Sequence, residues 1–233
     1  MIRESRRFPI FAAALPVIAL LLLCTQQQAA ESNPVTTDVP ATARALAAQG
    51  ERAFASGNLK ASESFYAKAL DASPGNSHFL VSLAATKTRL GKLEESKNLL
   101  RQALRSDLDN GAAWLLLGMN ELEQQHDDEA FADLVQATLR DGRNPRAHNY
   151  LGIASGRKGW ADVSEQELRK AVELDPGYAD ANFNLAVFYL GRTPPLLELA
   201  RRHYQRALDL GTPRDKAMEA RLAPPTSPST EAP

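Results

Sequence analysis

Small residues recur along the middle of the chain at an interval of 34 positions. One such column consists of Gly50, Ala84, Gly118, Gly152 and Ala186. Leucine stands immediately before four of these five positions, and other columns with the same interval hold alanine or serine. Between the columns, apolar residues are spaced three and four apart, which is typical of helices that bury one face. The repetition predicts a series of helix pairs, one pair in each interval.

Turn and capping residues mark where the predicted helices begin and end. Short polar turns such as Ser56-Gly57-Asn58 separate the two helices of a pair. Pro74 and Pro176 are predicted to end second helices, because proline cannot continue a helix. Asn76 and Asn110 follow as good N-caps for the next first helix. The small residues of the columns are expected to let the paired helices approach closely.

These columns resemble the tetratricopeptide repeat (TPR), whose pattern is W-x-x-L-G-x-x-Y, then A-x-x-x-F and a closing proline. The third interval carries Trp114, Leu117 and Gly118 in its first helix, and Ala130 and Leu134 in its second. The departures from the pattern are Gln49, Leu108, Gln125 and Gly142. The resemblance implies an all-α fold: a right-handed α-solenoid of about five helix-turn-helix repeats with a short C-terminal capping helix.

The predicted domain organisation follows these columns from residue 43 onward. The five repeats are expected at 43–76, 77–110, 111–144, 145–178 and 179–212. The fifth contains a two-residue insertion at Thr193-Pro194-Pro195, and a capping helix follows at 213–222 with Ala217, Ala220 and Leu222 turned inward. Residues 31–42 and 223–233 lack helical periodicity, so they are predicted to be a flexible linker and a disordered tail.

Residues 1–30 have the organisation of an export signal. A basic start with three arginines precedes an apolar run without charge over 8–23. Three outcomes remain open: a cleaved signal peptide, a retained membrane anchor, or a lipoprotein in which Cys24 is lipidated. The sequence before Cys24 resembles a bacterial lipoprotein box, except that Leu23 is bulky where the family has a small residue. Each outcome predicts an exported protein, periplasmic or membrane-anchored, with the repeats outside the cytoplasm.

Charge and reactive side chains add few functional candidates. The formal net charge is -1 over 233 residues, which gives no electrostatic reason to expect binding to nucleic acid. The histidines fall in different intervals, and no phosphate-binding or nucleophile motif occurs. His148 occupies the column of Trp114 and is predicted to be a packing residue. The sequence therefore predicts no enzymatic activity, no metal site and no cofactor, and membrane contact only through the N-terminal segment.

The resemblance implies a protein-binding role for the first helices of the repeats. In the family, ligands contact the faces of these helices that do not pack inward, on a concave surface. The candidates are Arg89, Leu115, Met119, Arg146, Asn149, Tyr150, Ile153, Arg157, Phe183 and Asn184. Such a groove has an apolar centre and a rim of arginines, which suits a protein or peptide segment with apolar anchors and some acidic residues.

The predicted function is therefore a non-catalytic scaffold or adaptor in the cell envelope. Two alternatives stay open. One is a lipoprotein assembly factor for a pilus or secretion machine, which requires lipidation of Cys24. The other is an accessory subunit of an envelope enzyme, and only the identity of its partners distinguishes it from the scaffold.

Overall fold

The computed structural model describes residues 39–223, and these residues form eleven α-helices and no strand. The helices are α1 (Ala41–Ala55), α2 (Leu59–Ala72), α3 (Ser77–Arg89), α4 (Leu93–Ser106), α5 (Gly111–Glu123), α6 (Asp127–Arg140), α7 (Pro145–Arg157), α8 (Ala161–Leu174), α9 (Ala179–Gly191), α10 (Leu197–Asp209) and α11 (Lys216–Leu222). The described chain divides into two compact units between Asp141 and Gly142. The predicted signal segment, Cys24, most of the linker and the tail lie outside the described residues.

Asparagine side chains cap the first helices as the sequence predicts. The Asn76 side chain accepts a hydrogen bond of 3.1 Å from the Phe79 amide, and Asn110 accepts one of 3.0 Å from the Ala113 amide. Asn144 continues this column and caps α7 in the same way. Each cap satisfies an amide that the first turn of a helix leaves without a partner, so the column fixes where three first helices begin.

The small-residue column lies where the two helices of a pair cross. A methyl group added at Gly118 would lie 2.6 Å from Leu134 Cγ, and one added at Gly152 would lie 2.7 Å from Leu168 Cγ. Both distances are far below van der Waals contact, so a leucine of the second helix occupies the space that a side chain would need. Equivalent positions in the two units thus have the same packing, which confirms the predicted role of the column.

The short last helix has a different inward face from the predicted one. Asp215 caps α11 by accepting hydrogen bonds from the amides of Ala217 and Met218. This start places Met218 and Leu222, four residues apart, on the buried side, while Ala217 and Ala220 are exposed. The prediction for Leu222 is confirmed and that for the two alanines is wrong. A helix with two apolar side chains at this spacing buries the larger groups together.

Trp114 and His148 occupy the same position in successive repeats, and the ring of each donates a hydrogen bond to a backbone carbonyl. Trp114 Nε1 donates a hydrogen bond of 2.9 Å to the Leu108 carbonyl, and His148 Nε2 lies 3.1 Å from the Gly142 carbonyl. Leu108 and Gly142 stand where the repeat pattern has its closing proline. His148 is buried, as the packing prediction requires, and its other ring nitrogen lies 2.6 Å from a carboxylate oxygen of Glu167.

Candidate partner-binding surface

In the first unit, the predicted groove residues lie on α3 and α5. The guanidinium of Arg89 lies 4.8 Å from the centroid of the Phe54 ring, and its Nη1 donates a 3.3 Å hydrogen bond to the Phe54 carbonyl. Leu115 is 0% exposed, so it cannot contact a partner, and its assignment to the groove is corrected. Helix α5 is apolar on several sides and buries Leu115, Leu116 and Leu117 in succession. Met119 is half-buried and packs against the core cluster that contains Phe54.

In the second unit, two predicted groove residues bond to each other. Asn184 Nδ2 donates a 2.9 Å hydrogen bond to Asn149 Oδ1, which joins α9 to α7. Asn149 is 1% exposed, and its main role is therefore to hold these helices together rather than to meet a partner directly. Its placement in an accessible groove is corrected on this ground. Asn184 is half-buried and keeps part of its side chain at the surface.

Arg146 is more enclosed than a rim arginine. Its Nε and Nη1 atoms are buried, and its charge acts on Tyr178 and Asp180 at the start of α9. Burial raises the pKa of Asp180, and the positive charge of Arg146 opposes that rise. Burial likewise raises the pKa of the Tyr178 hydroxyl. Reversing the charge of Arg146 would therefore place two carboxylates together, so Arg146 is an unsuitable position for testing partner contact.

The remaining residues on α7 form a surface strip. Tyr150, Ile153 and Arg157 are half-buried and lie three and four positions apart, which places them on one side of the helix. The core-facing side of α7 is occupied by other residues, including Leu151 and Ala154. We call Tyr150, Ile153 and Arg157 the α7 face. It offers one aromatic, one aliphatic and one cationic side chain to a partner.

Phe183, the apolar one of the two predicted groove residues on α9, packs against the core. Its ring centroid lies 6.2 Å from that of Tyr204, with the rings tilted by 58°, and it packs against the buried cluster of the second unit. The ring is half-buried. Phe183 therefore keeps an exposed edge beside Asn184, while most of its surface stabilises the repeat.

A cleft in the first unit was not predicted from the sequence. It encloses about 480 Å³ between α4 and α6, with α5 as its floor. Its lining includes Arg101, Leu104, Arg105, Trp114, Leu117, Glu129 and Asp133. In the sequence, Trp114 is recognisable only as part of the repeat pattern. One position of the 34-residue repeat could have indicated the cleft. It is apolar in the first two repeats, as Phe65 and Leu99, but it is Asp133 in the third.

A buried ion network lies at one end of this cleft. Glu121 is 3% exposed, and its carboxylate lies 3.2 Å from Lys97 Nζ and 2.7 Å from His126 Nδ1. Lys97 is itself buried. The charge of Glu121 is thus compensated by groups of the same unit, as buried charges require. The arrangement is structural, and it holds the turn at His126 against α5.

The part of the chain that the structure describes contains neither a candidate metal site nor a candidate membrane span. Between residues 39 and 223, no group of three or more His, Cys, Asp or Glu side chains is arranged to hold a metal ion. No helix within that range has both the length and the apolar character needed to cross a bilayer.

Comparisons with known proteins agree with the helix-pair architecture. Two family profiles, each described as tetratricopeptide repeat, match residues 53–119 and 27–77. No curated protein matches the chain. Among solved structures, pilF of Pseudomonas aeruginosa aligns with a TM-score of 0.69 at 20% identity, over 78% of this chain and 82% of pilF.

Two further structures have a comparable likeness. A thermophilic TPR protein of Thermus thermophilus gives a TM-score of 0.63 at 20% identity, over 77% of this chain and 96% of its own. YrrB, described as a TPR protein with an unusual peptide-binding site, gives 0.57 at 20% identity, over 78% of this chain and 97% of its own. At these identities the likeness shows the fold, which is the all-helical tetratricopeptide type.

Proposed function

Because this chain is a tetratricopeptide-repeat protein, we propose that it is a non-catalytic scaffold that binds a protein or peptide partner along the first helices of its repeats. The observation that carries the proposal is the α7 face, where Tyr150, Ile153 and Arg157 share one half-buried strip outside the core. Apolar side chains that lie next to each other at a protein surface, rimmed by a polar group, are typical of interaction sites. YrrB, with its peptide-binding site, has the same fold and supports this use of it.

The chemistry of the α7 face indicates which partner segment it binds. Tyr150 and Ile153 suit an apolar anchor, and Arg157 suits an acidic residue next to that anchor. An amphipathic segment with one apolar side and a nearby carboxylate meets both requirements. Asn184, half-buried on α9, supplies a polar group for the partner backbone in the same unit.

A site-specific cross-linker tests the α7 face directly. The photoreactive residue benzoylphenylalanine replaces Ile153, and in a control protein it replaces Gln166, which is exposed on α8 of the same unit. After irradiation in native cell envelopes, we expect partner adducts from position 153 and none from position 166. Equal adducts from both positions would remove the α7 face from the proposal.

A charge reversal tests the contribution of Arg157. With the cross-linker at position 153, Arg157→Glu should lower adduct yield about fivefold, because a rim charge contributes about 1 kcal/mol to binding. Arg169→Glu, at an exposed position on α8, is the matched control and should leave the yield unchanged. A loss with both variants would indicate a general charge effect instead of a contact at Arg157.

The envelope location is part of the proposal and rests on the basic and apolar pattern of residues 1–30. Alkaline phosphatase fused after residue 40 should be active in a bacterial host only if this segment directs export. Activity lost on replacing Arg3, Arg6 and Arg7 by glutamate would support the signal. An inactive fusion with an intact segment would place the repeats in the cytoplasm.

The lipoprotein alternative depends on Cys24, the single cysteine of the chain. Incorporation of labelled palmitate that disappears in Cys24→Ser would favour an assembly factor held at a membrane by its lipid. A mature N-terminus at Glu31 would instead establish a cleaved signal and exclude this alternative.

A further inference from the structure

The third and fourth repeats differ at a pair of equivalent positions. In the fourth repeat, His148 Nδ1 lies 2.6 Å from the Glu167 carboxylate, while Nε2 faces the Gly142 carbonyl. Both ring nitrogens therefore face acceptors, and the carboxylate of Glu167 has a cationic partner. In the third repeat the same two positions hold Trp114 and Asp133. An indole cannot become a cation, so the repeat keeps the carboxylate and lacks its counter-charge.

The surroundings of Asp133 give its carboxylate no direct partner among the described residues. Within residues 39–223 the Asp133 carboxylate makes no hydrogen bond and no ion pair. Arg101, on the opposite wall, lies 3.7 Å from Glu121, which also neighbours Lys97 and His126. Burial raises the pKa of Asp133 to about 7, the negative charges of Glu121 and Glu129 add to the rise, and Arg101 and Lys97 oppose it. A bound cation would relieve this cost.

The cleft supplies the other contacts that a long cationic side chain needs. Trp114 and Asp133 line the same cavity of about 480 Å³, together with Leu104 and Leu117, and its charged lining also holds two arginines and two glutamates, Arg101, Arg105, Glu121 and Glu129. An aromatic face attracts an ammonium or guanidinium group, most strongly when the group is shielded from water. The two leucines offer an apolar surface along which a chain of methylene groups can lie. Aromatic ring, carboxylate and apolar floor thus complement one chemical class.

We propose that this cleft binds a cationic side chain, a lysine or arginine of a protein partner, with its charged group between the Trp114 ring and the Asp133 carboxylate. The cation then gives Asp133 the counter-charge that the imidazole of His148 gives Glu167 in the fourth repeat. The site is built from α4, α5 and α6 and shares no residue with the α7 face. A negative result at the α7 face would therefore leave this site untouched, and the reverse also holds.

The two tryptophans of the chain allow a direct test by NMR, because each gives one indole N–H signal. N-acetyl-lysine amide and N-acetyl-arginine amide are titrated into the ¹⁵N-labelled protein at about pH 8, where Asp133 is mainly ionised. Both should shift the Trp114 signal with saturation. Trp160 is exposed in the other unit, with Lys158 Nζ already 4.5 Å from its ring centroid, so its signal should stay fixed.

Matched variants and ligands show which charges of the protein and of the ligand the binding requires. Asp133→Asn should weaken binding at least about tenfold, because it removes the anion and keeps the shape of the side chain. Glu123→Gln, at an exposed position on α5 outside the cleft lining, should change it by less than about twofold, as is usual for a solvated charge. N-acetyl-norleucine amide, the neutral analogue of lysine, should not shift the Trp114 signal. An unchanged Trp160 signal in Asp133→Asn shows that the second unit is intact, and circular dichroism checks the first.

Three results would overturn the assignment of the ligand. Binding of the norleucine amide as tight as that of the lysine amide would make the cleft an apolar pocket. Full affinity in Asp133→Asn would place the cation elsewhere. Choline binding more than about tenfold tighter than either amide would assign the site to a small quaternary amine instead of a protein side chain. Absence of any Trp114 shift with all the ligands would reject the site itself.

Discussion

At the scale of single residues, the turns between paired helices depend on one backbone conformation. Gly57, Gly91 and Gly159 have φ values of 76°, 73° and 80°, and Gln125 holds the same position in the third repeat with φ 65°. A side chain is strained in this left-handed region, whereas glycine is not. The turn geometry is therefore imposed by the flanking helices, and Gln125 adopts it at a cost to stability.

Replacing Gln125 by glycine should therefore stabilise the protein. The left-handed conformation costs a non-glycine residue about 1–2 kcal/mol, and glycine avoids this cost. Glycine also has more conformational freedom in the unfolded chain, which offsets part of the gain in stability. We expect Gln125→Gly to raise the free energy of unfolding by about 0.5–1 kcal/mol, measured by urea denaturation. Gly91→Gln makes the reverse change in the equivalent turn and should lower it by a similar amount. Stabilisation by both variants would contradict the argument.

At the scale of helices, the periodicity of the sequence predicts the helix pairs well. It predicts less well which face of each helix is buried. The columns around Gly118 and the Asn76 and Asn110 caps follow from the sequence because the same residue types recur at the same place in several repeats. The burial of Leu115 does not, because α5 is apolar on several sides and only its neighbours decide which side stays at the surface. The seven residues of α11 have no repeat to be aligned with, so their register depended on the Asp215 cap.

The close crossing of α5 and α6 gives a stability prediction. In Gly118→Ala the new methyl meets Leu134 Cγ at 2.6 Å, so the helices must separate or the leucine must leave its rotamer. We expect a loss of about 1–3 kcal/mol in unfolding free energy, although alanine is the better helix former. Gly191→Ala is the control, because nothing lies within 4 Å of its added methyl. A loss of equal size at both positions would show that crowding is not the cause.

The corrected face of α11 can be tested with two serine substitutions. Met218 is 5% exposed and packs in the core cluster of the second unit, whereas Ala217 is exposed beside it. Met218→Ser should lower the unfolding free energy by about 2–4 kcal/mol, and Ala217→Ser should stay within about 0.5 kcal/mol. Thermal unfolding monitored at 222 nm measures both. The opposite ranking would restore the predicted face.

At the scale of the whole molecule, each unit contains a group that holds its proton more tightly when folded. In the first unit this group is Asp133, whose pKa rises to about 7. In the second it is His148, whose pKa is raised by its hydrogen bond to Glu167. His203 acts in the opposite direction, because burial lowers its pKa. The dependence of stability on pH is therefore a sum of contributions with different signs, and single variants are needed to separate them.

The signs of these contributions are fixed by the direction of each shift. A raised pKa gives stability that is present below the unfolded value and lost as pH rises through the folded value. For Asp133 the loss extends from about pH 4 to about pH 7. Unfolding of Asp133→Asn in urea should therefore lack this decline, so its advantage over the natural protein grows with pH across that window. A constant difference would mean that Asp133 titrates as a solvated carboxyl does.

The same measurement applies to the second unit through His148→Gln. The contribution of His148 is fully present below about pH 6.5 and disappears as pH passes its higher folded pKa. The variant should therefore be destabilised most in mild acid and least at alkaline pH. The reverse trend would indicate a neutral imidazole beside Glu167.

The carbonyls that receive the ring N–H groups of Trp114 and His148 belong to the residues that replace the closing proline of the repeat pattern. Where proline closes a repeat, at Pro74 and Pro176, the ring position holds Leu80 or Asn182, which offer no ring donor. Where proline is missing, an indole or an imidazole anchors the turn through its nitrogen. A closing proline and a ring donor six positions later are therefore two alternative ways in which this chain holds the same turn, and each repeat from the second to the fifth uses one of them.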